Sequence, residues 1–145
     1  MVRHHETNTE ALKDSNYRYN NELPPQAKNQ VFGYYGCRRT DVVNNQRYMT
    51  FRIDDNWPKK HQSQLKVEVI YLDKGTDSFS LDYFDAKNKK FVSAGTKIKT
   101  NSGLFKTTHF TIRGQDLPSG SQTNFRINAL DQGDEYIHMV RVLPN

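Results

Sequence analysis

From residue 30 onward, apolar and polar side chains alternate with a period of two. Met49, Phe51 and Ile53 fall on one side of the run 48–53, and Leu65, Val67, Val69 and Tyr71 on one side of 65–71. The runs 79–83, 108–112, 125–127 and 136–142 repeat the pattern. Strict alternation puts one face of a strand in a core and the other in solvent. Turn-forming clusters separate the runs: Asp54-Asp55-Asn56, Asp73-Lys74-Gly75-Thr76-Asp77, Lys87-Asn88-Lys89-Lys90, Asn101-Ser102-Gly103, Pro118-Ser119-Gly120 and Asp131-Gln132-Gly133-Asp134. Short strands at such spacing predict an all-β sandwich or barrel. No stretch past residue 30 has helical periodicity, so a parallel α/β fold, which needs crossover helices, is not expected. Residues 1–29 carry Asn16, Asn20, Asn21, Pro24 and Pro25 with almost no apolar pattern. They read as a linker or loosely ordered polar arm ahead of a domain over 30–145.

Composition narrows the class. A chain of 145 residues is one domain. Hydrophobic residues are only 34%, yet 12% are aromatic, which a disordered chain would not carry. No apolar run is long enough to span a membrane as a helix. The start, Met1-Val2-Arg3-His4-His5, shows no signal peptide. A single cysteine, Cys37, excludes an internal disulfide and reads as a small buried apolar residue. The five histidines have no HxH or HxxxH spacing within the folded part, which argues against zinc. The formal charge of +5 suits a polyanionic partner without demanding one.

Several segments carry a family likeness. They are Arg38-Arg39-Thr40-Asp41, Tyr48-Met49-Thr50-Phe51, Val69-Ile70-Tyr71-Leu72-Asp73-Lys74-Gly75 and Phe79-Ser80-Leu81-Asp82-Tyr83, followed by Lys99-Thr100-Asn101-Ser102-Gly103, Lys106-Thr107-Thr108-His109-Phe110, Asn124-Phe125-Arg126-Ile127 and Glu135-Tyr136-Ile137. Over about residues 31–142 the chain resembles a carbohydrate-binding module with the galactose-binding-domain-like jelly roll, of the kind appended to bacterial polysaccharide-degrading enzymes. The resemblance implies an antiparallel β-sandwich of jelly-roll type, in a larger secreted or cell-surface protein with an attached catalytic domain. It also implies a structural calcium, for which Asp131, Asp134 and Glu135 offer hard oxygen ligands. The same residues equally make an ordinary turn.

Candidate contacts follow from the chemistry of sugars, whose C–H faces stack on flat side chains while a few polar groups fix the hydroxyls. Trp57, the only tryptophan, sits in a polar loop, either as a plug over the core or as an exposed platform. Tyr34 and Tyr35 would point to opposite faces of a strand, one to the core and one outward. The solvent side of the strands carries Tyr48, Arg52, Lys66, Glu68, Ser80, Asp82, Phe84, His109, Asn124, Arg126 and Asn128. Arg141 joins them if Val140 and Val142 face inward, then together with Ile137 and Met139; the reverse assignment is also open. Arg38 and Arg39 either line a carboxylate pocket or form a local ion-pair network with Asp41. The expected contact set is Tyr35, Arg38, Arg39, Tyr48, Trp57, Lys106, His109 and Arg126. The surplus positive charge points to an acidic plant or algal glycan, since arginine suits carboxylate or sulfate.

Other function classes compete. No nucleophile elbow, phosphate-binding loop or dinucleotide fingerprint is present. A lyase would need a base and a neutralising cation, which Tyr48, His109, Lys106 and Arg126 supply by type. A glycosidase would need two carboxylates, for which Asp82 and Glu68 on neighbouring strands are candidates. Single-stranded nucleic acid would suit aromatics among basic residues, but the basic residues are dispersed among acids. A protein-interaction sandwich is the plainest alternative. The expectation is a non-catalytic binder of polysaccharide that requires no cofactor.

Overall fold

A computed structural model describes residues 2–4 (backbone only), 37–56, 63–120 and 122–144. Nine strands are described: β1 (Val2–His4), β2 (Arg38–Arg39), β3 (Tyr48–Ile53), β4 (Leu65–Leu72), β5 (Ser78–Asp85), β6 (Lys90–Ile98), β7 (Phe105–Ile112), β8 (Phe125–Asn128) and β9 (Tyr136–Pro144). They form two antiparallel sheets, ordered β1-β3-β8-β5-β6 and β2-β9-β4-β7, packed as a sandwich. Short 3₁₀ turns at Val42–Asn44 and Gly114–Asp116 are the helical elements among the described residues. No helix among the described residues is long and apolar enough to cross a membrane.

The inward positions of the alternating runs form one core. Met49, Phe51 and Ile53 meet Leu65, Val67, Val69 and Tyr71 from the other sheet, with Phe79, Leu81, Phe110, Ile112, Phe125 and Ile127 filling the space between. Phe51 stacks on Phe125 across β3 and β8, with ring centroids 5.1 Å apart. Phe79 meets Tyr71 of the opposite sheet edge-on at 5.2 Å. Each such buried side chain contributes about 1.5–3 kcal/mol relative to exposure. Cys37 is buried as expected, and burial pushes its thiol up to about 12.

Three local features depart from the sequence pattern. Val2–His4, expected within the polar arm, pair with Ile53–Phe51 as an antiparallel edge strand; residues 5–29 of that arm lie outside the described residues. In β9 the register skips His138, so Met139 opposes Ile70 while Ile137 opposes Tyr71. This bulge lets Ile137 turn inward with Val140 and Val142, leaving Met139 and Arg141 outside.

β6 begins at Lys90, which the sequence pattern places in a turn, and it was not expected as a strand. Its pairing with β5 also slips, with Leu81 opposite Gly95 and Asp82 opposite Ser93. The extra residue, Ala94, packs against the core. A Cβ on Gly95 would lie 3.4 Å from the Phe110 ring of β7, and its φ is +144°. A bulge of this kind resets the alternation partway along the strand and hides it from a period-two reading.

The connections 40–47, 73–77, 99–104 and 129–135 gather at one end of the sandwich. The described parts of the connections around 54–56, 86–89, 113–120 and 122–124 gather at the other, where the Ala86 amide donates to the Asp116 carbonyl and the Gly120 amide to Asp55.

Candidate functional site

Register sets what stands on the outer face of the five-stranded sheet. Arg126 of β8 opposes Thr50 on one side and Asp82 on the other, while Asn128 opposes Tyr48 and Ser80. Phe84 opposes Phe91. Directly opposed residues share a face, so these side chains form one surface. The guanidinium carbon of Arg126 lies 3.8 Å from the Tyr48 ring centroid and 3.7 Å from that of Phe91. Phe84 packs edge-on against Phe91 at 5.2 Å. Arg126 Nε donates to Asp82 Oδ2 at 3.1 Å, and Asn128 Nδ2 donates to the same oxygen at 3.0 Å. Ser80 Oγ donates to Asp82 Oδ1 at 2.8 Å. Both Asp82 oxygens are therefore satisfied, and the arginine plane is held between two rings. Each cation–ring contact contributes about 0.5–2 kcal/mol.

The opposite outer face, on the four-stranded sheet, carries a different cluster. Glu68 of β4 lies between His109 of β7 and Arg141 of β9. His109 Nε2 is 3.0 Å from Glu68 Oε2, while Arg141 Nε and Nη2 both donate to Oε1. The Arg141 hydrogen bond, and then that of His109, hold the Glu68 carboxyl below its ordinary value.

The end of the sandwich holding connections 73–77, 99–104 and 129–135 is polar and partly buried. Asp73 is fully buried and accepts hydrogen bonds from the backbone and hydroxyl groups of Thr100 and Ser102, with Lys106 Nζ 2.8 Å away. Burial alone would raise its pKa, but Lys106, Ser102 and Thr100 outweigh it and hold the carboxyl far below the carboxylate range. Lys99, equally buried, places Nζ 3.0 Å from both Asp77 Oδ1 and Glu135 Oε2. Apart from Lys99 and the neighbouring carboxylate, the buried Glu135 oxygens and Asp77 Oδ2 meet no other hydrogen-bonding group among the described residues. Burial pushes the Glu135 carboxyl up to about 8; Lys99 opposes the rise and Asp77 adds to it.

The structure thus distributes the expected contact residues. Tyr48 and Arg126 come together on one face and His109 lies on the other. Lys106 binds Asp73 at the end of the sandwich. Arg38 and Arg39 form β2, at the edge of the four-stranded sheet, where Arg39 Nη1 is 3.5 Å from Asp134 Oδ2. Tyr35 and Trp57 lie outside the described residues. Tyr48, His109, Lys106 and Arg126 therefore do not converge as a lyase site would require. Asp82 and Glu68, expected on neighbouring strands, stand on the outer faces of different sheets.

The three candidate calcium ligands also diverge. Asp131 Oδ2 pairs with Arg47 at 2.5 Å, Asp134 Oδ1 accepts from the Val42 amide at 2.8 Å, and Glu135 faces Lys99. No group of three His, Cys, Asp or Glu side chains among the described residues is placed to hold a metal ion.

Phe91 is the contact that sequence reasoning missed, because its strand was not recognised. Asp82, Phe84 and Asn128 were recognisable as outward-facing from alternation, but nothing in the pattern showed that they surround Arg126. Comparison with protein-family models, curated proteins and solved structures finds no match for this chain.

Proposed function

We propose that this chain is a non-catalytic polysaccharide-binding module whose contact surface is the outer face of the five-stranded sheet. The observation that supports it is the grouping of Tyr48, Phe84 and Phe91 around Arg126, with Asn128 and Ser80 beside them. Three half-buried rings with a few oriented polar groups suit a sugar chain lying across strands. In this reading the scaffold is the galactose-binding-domain-like jelly roll implied by the resemblance. The module belongs to a larger secreted or cell-surface protein and holds an attached carbohydrate-active enzyme near its substrate, raising the effective concentration without new chemistry. No cofactor takes part in binding, and a calcium would serve only to stiffen the end of the sandwich.

Affinity electrophoresis against a panel of polysaccharides, with assays for reducing ends and unsaturated products, tests this reading. Retention without turnover is expected. Tyr48→Ala should weaken retention roughly threefold to tenfold, the range for loss of one aromatic contact, with only a modest fall in melting temperature from the lost Arg126 contact. Release of products from any polymer would overturn the non-catalytic reading. Retention indifferent to Tyr48→Ala and Phe91→Ala would move the site off this face.

A further inference from the structure

The surface proposed above as the glycan platform contains an arginine that is held in place without having its donor edge occupied. Arginine carries five N–H donors in a planar fork. In Arg126 the Nε–H goes to Asp82, and the Nη groups have no hydrogen-bond partner among the described residues. The Tyr48 and Phe91 rings, 3.8 and 3.7 Å from the guanidinium carbon, fix its plane from either side. Asp82 cannot rotate to take the fork, because Ser80 and Asn128 hold its two oxygens. The arginine side chain remains 19% exposed. The free approach is thus in the guanidinium plane, toward Nη1 and Nη2.

Other arginines contrast with it. Arg141 gives both Nε and Nη2 to Glu68, Arg52 donates Nη1 to the Gly120 carbonyl beside Asp55, and Arg47 pairs with Asp131 and Asn45. Arg113 pairs with Asp116 on an exposed turn and has no ring against it.

We infer that this face takes a glycan bearing carboxylates, with the Nη1/Nη2 edge of Arg126 as the bidentate anchor for a uronate group. The inference rests on the platform reading and names its ligand class. A carboxylate is planar and presents two oxygens at the spacing of the fork, whereas a sugar hydroxyl offers single contacts. Asp82 already balances the arginine charge, so the attraction comes chiefly from two directed hydrogen bonds rather than from long-range Coulomb energy. Recognition therefore depends on fork geometry: a lysine carrying the same charge is a poor substitute.

The test compares one polyuronate backbone in two forms, de-esterified and fully methyl-esterified, so that ring stacking is held constant and only the carboxylate changes. Polygalacturonate is the probe, with an alginate and a sulfated galactan as further arms that separate carboxylate from sulfate. The wild-type chain should bind the free acid at least roughly tenfold more tightly than the ester, given the worth of hydrogen bonds to charged groups. Arg126→Lys should abolish that preference by weakening binding to the free acid much more than binding to the ester, with the melting temperature measured alongside to separate this from loss of the ring contacts. Tyr48→Ala and Phe91→Ala should weaken both forms.

Equal affinity for acid and ester, or an unaltered preference in Arg126→Lys, would overturn the anchor while leaving the platform intact. Tighter binding to the sulfated polymer would also overturn it. Failure to bind any polymer would remove the platform itself. The acid-against-ester comparison needs no variant, so it decides the matter even if Arg126→Lys does not fold.

Discussion

Glu135 is fully buried against Lys99 and Asp77, two carboxylates sharing one ammonium. Its folded pKa of about 8 lies above the ordinary 4.5, so the folded state holds this proton more tightly than the unfolded state does. The stabilisation from this group is complete below the ordinary value and is lost as pH rises through about 8. Thermal melts should show stability falling across that window, by an amount on the order of a few kcal/mol at most. Glu135→Gln should flatten that slope and be at least as stable as wild type at pH 8. A slope that persists in the variant would assign it elsewhere. Asp73 works in the opposite sense: its depressed pKa contributes stability above the ordinary carboxylate value, lost as pH falls.

At the scale of elements, alternation was a sufficient guide where a strand stays in register with one buried face. β3 occupies the run 48–53 as expected, and β4 and β8 each extend the expected run by one residue. β7 is three residues longer at its start, where its positions are only partly buried and the pattern weakens. β6 was invisible because it is an edge strand, mostly solvated, with a bulge that inverts its faces. Phe91 therefore could not be assigned to a face without its partner Phe84.

The turn between β4 and β5 was legible from Gly75, and the structure supplies the reason that glycine stands there. Its φ is +91°, and a Cβ would lie 2.5 Å from Asp77 Oδ1. Gly75→Ala should cost about 1–3 kcal/mol, from positive φ and from displacing the carboxylate that pairs with Lys99. Urea unfolding measures this, and a neutral result would mean that the turn relaxes without disturbing Asp77.

At the scale of the whole molecule, each outer face has its own charge cluster and the end of the sandwich has a third. Asp131, Asp134 and Glu135 are engaged by Arg47, by the amide of Val42 with Arg39 nearby, and by Lys99, respectively. Binding calcium there would require breaking those contacts. Treatment with a chelator is accordingly expected to leave the melting temperature unchanged, and a rise on adding calcium would show that these loops rearrange around the ion. The net charge of +5 is spread over such paired clusters, so bulk charge is a poor guide to the ligand. Arg126, whose donor edge is oriented and open, is the better guide.

The amino-acid sequence alone determined that strands form, which side of most of them is buried, and that a single core holds them, because side-chain alternation and turn chemistry are properties of neighbouring residues. It also marked Tyr48 and Arg126 as outward-facing. Which outward residues meet was decided only by tertiary structure. Strand order brings β3, β8, β5 and β6 side by side, joining Tyr48, Arg126, Asp82 and Phe91 from positions far apart in the chain, and sends His109 to the opposite face. Contacts across a sheet depend on pairing and register between distant segments, and a local pattern carries no record of either.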